Sequence, residues 1–314
     1  MTSIKANFVL AAAGLALATL ASTAGLARSV ESGATQRPAN VPANYLLTPY
    51  GYVAPQAIVR LRKGESVAMR QAQRRVARDA VPGECQTLPR FSASGERLDA
   101  PGRRRGVLAY TEHYFARAAV DFPKDYQAVQ ASTDVIVPPE PTRTSNQVIY
   151  LTTGLHDSEE PLGPIIMTTV GWNTLDEKLK WDAVTWFYSP NDRCMYTSEP
   201  VNLTPGQKVR QTIEARQANG QHEIQASILD LETNAPLVQT TFKPSSFEPD
   251  QIVNVGLDAA NVRSCDRLPA GGEITFPSIS ASLTTSAGEK DISDQITIRP
   301  ADEHKCDIVL TLSE

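Results

Sequence analysis

The sequence lacks several features that mark well-known functional classes. After residue 20 it has no apolar run of the roughly 18 residues that a transmembrane helix needs. It has no C-x-x-C pair, no G-x-S-x-G segment and only 4 histidines, which argues against a zinc or thiol-redox site and against an α/β-hydrolase nucleophile. Basic residues are not in excess either, since 30 Lys and Arg stand against 35 Asp and Glu. We therefore expect no metal, no cofactor, no nucleic-acid partner and no membrane span.

The N-terminus has the pattern of a secretory signal peptide. Lys5 precedes an apolar run from Phe8 to Leu20, and small residues then offer cleavage after Ala24 or after Ala27. As a helix this run would rise only about 20 Å, which is too short to span a bilayer. We interpret residues 1–27 as a signal peptide and expect the mature protein in the periplasm or outside the cell.

Four cysteines remain in the mature part, and an even number in an exported protein predicts two disulfides. Three connectivities are open. We favour Cys265 with Cys306, because both lie near the end of the chain among late strands, and this leaves Cys85 with Cys194.

The mature chain divides into two stretches of different character. Residues 28–106 form an N-terminal extension that is rich in Pro, Ala and Asn at first and basic later, with no sustained hydrophobic period. Within it, apolar residues over 64–80 have the spacing of one short amphipathic helix. We expect the extension to be otherwise irregular.

Residues 107–314 are predicted to form an all-β domain. Short segments alternate between apolar and polar residues, as in "QKVRQTIEAR" (207–216) and "HEIQASILD" (222–230). Turn signals such as Thr204-Pro205-Gly206 separate them. Short strands at this spacing predict an antiparallel β-sandwich or barrel.

Several of these segments, in this order, resemble the glutamic peptidases (eqolisins). They are "QVIYLTTGL", "PIIMTTVGWN", "WDAVTWFYSP", "SEPVNLTPGQKVRQTI" and "NVRSCDRLPAGGEITF". The N-terminal stretch "LTPYGYVAPQAIVRLRKGESV" is similar to a prodomain-side segment of such proteins. The resemblance implies a concanavalin A-like antiparallel β-sandwich of jelly-roll type, with a peptide-binding groove on its concave sheet.

The resemblance also implies a catalytic pair, a glutamine and a glutamate, and this chain departs from it. Strand for strand, the glutamine falls at Met167 and the glutamate at Tyr188. A thioether cannot both donate and accept hydrogen bonds as an amide does, and a phenol with a pKa of about 10 is a poor base in acid. We therefore expect that the catalytic dyad has been lost.

Aromatic residues cluster around these two positions. We expect Trp172, Trp186 and Tyr188 to line the groove and to stack on a peptide or a sugar ring. Asn173 and Asp258 are candidate polar partners there, together with Met167. The favoured function is noncatalytic binding of an extended peptide or glycan.

Two alternatives stay open. The chain could be an active secreted hydrolase that uses other carboxylates, and His156, Asp157, Glu159 and Glu160 are then its first candidates, although a solvated turn explains them as well. It could also have a structural role in the cell envelope, with no groove at all. The sequence leaves the ligand and the oligomeric state open.

Overall fold

The fold is known from a computed structural model, which describes most of the chain after residue 36. The described residues are 37–62, 65–67, 85, 88–92, 94–98, 113–144, 147–156, 165–175, 179–188, 194–218, 221–244, 249–260, 262, 264–300 and 309–312. The predicted signal peptide and most of the predicted helix over 64–80 lie outside them. Within these ranges there is no helix long and apolar enough to cross a membrane.

The described chain is built almost entirely from β-strands. In chain order they are β1 (Leu46–Thr48), β2 (Gly51–Val53), β3 (Ile58–Leu61), β4 (His113–Asp121), β5 (Ala128–Ile136), β6 (Val148–His156), β7 (Ile165–Trp172), β8 (Trp181–Tyr188), β9 (Met195–Ser198), β10 (Val201–Asn202), β11 (Lys208–Ala218), β12 (Gln221–Asp230), β13 (Pro236–Phe242), β14 (Gln251–Ala260), β15 (Glu273–Phe276), β16 (Ser278–Thr285), β17 (Gly288–Asp291), β18 (Thr297–Pro300) and β19 (Val309–Leu312). Short 3-10 helices span Pro55–Ala57, Cys265–Arg267 and Ser293–Gln295.

Two large sheets form the sandwich. The nine-stranded sheet has the order β18-β4-β14-β6-β7-β8-β9-β3, with β10 also paired to β8. The six-stranded sheet has the order β13-β12-β11-β5-β16-β17. Pairing is antiparallel in both, except that β3 runs parallel to β9. The predicted all-β sandwich is confirmed.

Alternation along the strands decides which side chains enter the space between the sheets. On β11, Val209, Gln211, Ile213 and Ala215 are buried, whereas Lys208 on the same strand is exposed. This is the period of two that the sequence shows over 207–216. It gives each sheet one face directed at the other sheet.

Contacts across the sandwich identify the inner face of the nine-stranded sheet. The Thr168 hydroxyl donates to Gln211 Oε1 at 3.1 Å, and the hydroxyls of Thr185 and Thr240 lie 2.9 Å apart. Thr168 and Thr185 are cross-strand partners on β7 and β8. Residues of the same parity on these two strands therefore point at the six-stranded sheet.

The N-terminal extension is more ordered than its sequence indicates. It supplies the hairpin β1–β2 and the edge strand β3, which are too short to show a sustained alternating pattern. The predicted disulfide between Cys85 and Cys194 is present, with Cα atoms 5.2 Å apart. Cys265 is also disulfide-bonded, and its predicted partner Cys306 lies outside the described residues. We call the described residues of 37–57 and 85–98 "the cover", because they lie on the sandwich.

Candidate binding face

Met167 and Tyr188 lie on the outer face of the nine-stranded sheet. Their parity is opposite to that of the inward-pointing Thr168 and Thr185, so their side chains leave the sheet on the other side. Met167 pairs with Trp186, two residues before Tyr188 on β8. The two expected dyad positions are thus diagonal neighbours on one face, a relation that places residues roughly 7–8 Å apart.

The other expected groove residues do not all share this face. Asp258 pairs with Tyr150, whose hydroxyl reaches the cover, so Asp258 is on the outer face with Met167. Trp172 has the parity of Thr168 and packs in the inner core, with its ring 5.6 Å from that of Trp181. Trp172 therefore lies on the opposite side of the sheet from Met167. The two residues are five positions apart, an odd number, so the alternation of side chains along a strand already predicts that they lie on opposite faces.

The Asn173 side chain stabilises the backbone that follows β7. It is one of the non-glycine residues with positive φ, at 59°. Its side-chain amide donates to the Gln147 carbonyl at 3.1 Å, and its Oδ1 accepts from the Leu179 backbone N–H at 3.4 Å. Asn tolerates this left-handed conformation better than most residues. Its side chain is thus committed to holding the connection between β7 and β8.

The outer face is buried under the cover. Met167 is 4% exposed, Trp186 is 0% exposed and Tyr188 is 5% exposed. The ring of Tyr50, from the cover, lies 5.7 Å from the ring of Tyr188. The Arg90 guanidinium, also from the cover, lies 4.1 Å from the centroid of the Tyr188 ring, within the range of a cation–π interaction. The groove expected from the sequence is therefore filled by the chain itself.

A tight turn presents Tyr50 to the face. The Thr48 hydroxyl donates to the Gly51 carbonyl at 2.8 Å and accepts from the Tyr50 backbone N–H at 3.1 Å. Gly51 has φ of 90°, a conformation that glycine adopts without steric cost. Tyr50 is only 1% exposed although it sits at a hairpin turn, where a side chain would ordinarily face water. The turn functions as an aromatic anchor.

The backbone of the cover is itself hydrogen-bonded as extended chain. Tyr52 and Phe91 exchange backbone hydrogen bonds, of 2.7 Å to the Phe91 carbonyl and 3.1 Å to the Tyr52 carbonyl. Side chains of this layer form one cluster with residues of β6 and β14. Its members include Val41, Tyr45, Leu47, Tyr52 and Phe91 from the cover, and Val148, Tyr150 and Ala260 from the sheet.

A polar contact links the cover to the middle of the sheet. The Tyr150 hydroxyl donates to the Leu47 carbonyl at 3.3 Å. Burial raises the pKa of the Tyr150 phenol well above its usual value, and the negative charges of Asp182 and Asp258 raise that pKa further. The phenol therefore keeps its proton across the physiological range and remains a donor to the cover.

A polar cavity opens beside the covered face, at the start of β8. It has a volume of about 260 Å³, and its lining includes Arg60, Asn173, Lys180, Asp182, Glu199 and Asn202. The Asp182 carboxylate accepts the Thr174 hydroxyl at 2.8 Å, and Arg60 Nη1 lies 4.0 Å from Glu199 Oε2. Both signs of charge are present, so the lining of the cavity is polar.

Met167 and Tyr188 have no carboxylate among their cross-strand partners. In the strand register Met167 lies between Gly154 and Trp186, and Tyr188 lies opposite Met195. None of these partners carries a group that titrates in acid.

His156, from the alternative site, is the last residue of β6, and Asp157, Glu159 and Glu160 lie outside the described residues. The described part of the chain contains no group of three or more His, Cys, Asp or Glu residues that could hold a metal.

Comparison with known proteins gives structural matches and no sequence matches. No protein-family model and no curated protein matches the chain. A crystal structure of scytalido-glutamic peptidase with a peptide-based transition-state analogue matches at 15% identity and a TM-score of 0.41, covering 62% of this chain and 91% of that one. A structure of SCP-B, described as a member of the eqolisin family in complex with the tripeptide Ala-Ile-His, matches at 15% identity and a TM-score of 0.39, with the same coverage. One of these two structures is described as a glutamic peptidase and the other as an eqolisin peptidase.

Proposed function

We propose that this chain is an exported, noncatalytic protein that binds an extended peptide on the outer face of its nine-stranded sheet. One observation carries the proposal: an extended hairpin, β1–β2, already lies on this face and inserts Tyr50 against Tyr188. A face that accepts this segment has the shape and the chemistry for a polypeptide. The cover is then an internal occupant, and a partner peptide competes with it.

The chemistry of the face favours a peptide over a glycan. Sugar binding uses aromatic rings whose faces are open to stacking, whereas Trp186 is fully buried and the Tyr188 ring is in contact with Tyr50 and Arg90. The cover instead contributes an apolar cluster and a main-chain carbonyl that accepts from Tyr150. Apolar side chains combined with a main-chain hydrogen bond are what an extended peptide offers.

The absence of catalysis follows from the two residues at the dyad positions. A thioether has no proton to donate and a phenol is a poor general base in acid, so neither Met167 nor Tyr188 is suited to activate a water molecule there. The signal-peptide pattern and the Cys85–Cys194 disulfide both fit an oxidising, extracytoplasmic location.

A proteolysis assay separates this proposal from the hydrolase alternative. We expect the purified protein to leave denatured protein substrates intact from about pH 2 to 5, where a carboxylate dyad would be competent. Acid proteolysis that persists in both Met167→Ala and Tyr188→Phe variants would show that chemistry resides elsewhere, as the alternative site around His156 requires.

A binding assay tests the peptide itself. Tyr50→Ala removes the anchor of the cover and should make the face easier to occupy. A labelled synthetic peptide with the sequence of residues 44–54 is expected to bind this variant more tightly than it binds the wild type. The matched control is the same peptide with alanine in place of Tyr50 alone, which should bind neither protein. Equal binding of both peptides would contradict recognition by the aromatic anchor.

A further inference from the structure

The disulfide between Cys85 and Cys194 joins the cover to the strand beside Tyr188. Cys194 immediately precedes β9, whose first residue, Met195, pairs with Tyr188. Cys85 belongs to the cover and lies five positions before Arg90, which contacts the Tyr188 ring. The bond thus anchors the cover next to the face that we propose for peptide binding.

The cover is tethered to the nine-stranded sheet in two places. Its first part ends at residue 57 and continues directly into β3 (Ile58–Leu61), which pairs in parallel with β9. The disulfide attaches the later part of the cover to the same edge, 109 residues away in sequence. Tyr52 and Phe91 exchange backbone hydrogen bonds that join the two parts of the cover. Both tethers therefore keep the hairpin β1–β2 at a high effective concentration on the face, and a free peptide competes with it poorly. When one tether is removed, the fraction of time that the face is open must increase.

We propose that the Cys85–Cys194 disulfide is a redox latch that controls access to the binding face. The inference rests on the proposed function for the identity of the ligand, but not for the opening itself. The reductant is a dithiol: its thiolates attack the disulfide, the S–S bond breaks, two cysteine thiols form, and the dithiol becomes a disulfide. With the bond broken, the cover still packs on the face but detaches more often, and a peptide can take its place.

Burial of the latch affects how it opens. Cys85 is 4% exposed and Cys194 is 3% exposed, so a dithiol reaches their sulfurs only after the cover has lifted locally. Cys265 is exposed and also disulfide-bonded, so added reductant reaches that bond first. Substitution therefore provides a cleaner test than reduction.

The test compares the full-length Cys85→Ser/Cys194→Ser variant with the wild type. Hydrogen exchange of residues 46–53 should become about tenfold faster or more in the variant, and the labelled peptide of residues 44–54 should bind about tenfold more tightly. Exchange within β11 and β12, in the opposite sheet, should stay unchanged. The matched control is Cys265→Ser, which breaks the other disulfide and should leave both readouts at the wild-type level.

Each outcome decides one of the two proposals. Unchanged exchange over 46–53 would overturn the latch, and so would an equal effect of Cys265→Ser. Faster exchange without any peptide binding would keep the latch and contradict the proposed function. If the double variant does not fold, wild-type protein is titrated with dithiothreitol while thiol labelling follows each cysteine. Exchange over 46–53 must then rise with the labelling of Cys85 and Cys194 and not with the earlier labelling of Cys265.

Discussion

Gln211 shows how a single polar residue is accommodated between two sheets. It is 1% exposed, its amide N–H donates to the Leu151 carbonyl at 3.1 Å, and its Oε1 accepts from Thr168. Replacing it with alanine leaves a buried carbonyl without its donor, which costs about 1–3 kcal/mol. We expect Gln211→Ala to lower the free energy of unfolding in urea by that amount. Gln239→Ala, on an exposed site of the same sheet, is the control and should change it by less than about 0.5 kcal/mol.

Asp230 contributes to the stability of the fold by an amount that depends on pH. Its carboxylate accepts from the Thr233 backbone N–H at 2.8 Å and from Gln207 Nε2 at 2.6 Å. These hydrogen bonds, that of the Thr233 backbone first, lower the pKa of Asp230. A lowered folded-state pKa means that the stabilisation is complete above the unfolded pKa of about 4 and is lost as the pH falls through the folded pKa.

The corresponding variant is Asp230→Asn. At pH 7 it should have a lower thermal midpoint than the wild type, and the difference should shrink steadily below about pH 4. Glu232→Gln, an exposed neighbour in the same turn, serves as control and should match the wild type throughout. A difference that stays constant down to pH 2 would show that the charge of Asp230 is not the cause.

At the scale of elements, the hairpin β1–β2 depends on one glycine. Gly51 has φ of 90°, and a Cβ added there would lie 2.2 Å from the Phe91 carbonyl oxygen. Gly206 has a similar φ of 84°, but an added Cβ would meet nothing within 4 Å. Both alanine variants carry the backbone cost of about 1–2 kcal/mol, and only Gly51→Ala adds a collision.

We therefore expect Gly51→Ala to lower the thermal midpoint more than Gly206→Ala does. It should also speed hydrogen exchange over residues 46–53, because the collision separates the hairpin from Phe91. The Gly206 variant should leave that exchange untouched. Equal midpoints for the two variants would mean that Phe91 moves away at no cost.

Strand patterns explain how much of these elements could be predicted. The alternation of Val209, Gln211 and Ile213 identifies β11 and its inner face from sequence alone. β3 could not be predicted in this way, because it is four residues long and pairs in parallel with β9 from a distant part of the chain. Its partner is fixed by tertiary packing and by the nearby disulfide rather than by a local pattern.

At the scale of the whole molecule, the sequence indicates the sandwich but not what lies on it. The region of the cover is rich in Pro and turn residues, and apolar residues such as Tyr50 and Phe91 recur without a period. A hydrophobic period marks elements that pack by one face, whereas the cover packs through single side chains on an existing surface. The burial of Met167 and Tyr188 under it was for that reason not predictable, although their shared face was.

The cover and the sandwich should unfold as one unit while the disulfide is intact. One continuous cluster contains Tyr50 and Val53 of the cover, Met167 and Trp186 of the nine-stranded sheet, and Phe242 of the six-stranded sheet. The disulfide also closes a loop between residues 109 positions apart, which restricts the unfolded chain. In the chain-entropy model this restriction stabilises the folded state by about 4–5 kcal/mol. We expect tryptophan fluorescence and pulsed hydrogen exchange of residues 46–53 to give the same urea midpoint in oxidised protein, as a two-state transition requires. An earlier midpoint for residues 46–53 would show that the cover is a separate unit that dissociates without any change in the disulfide.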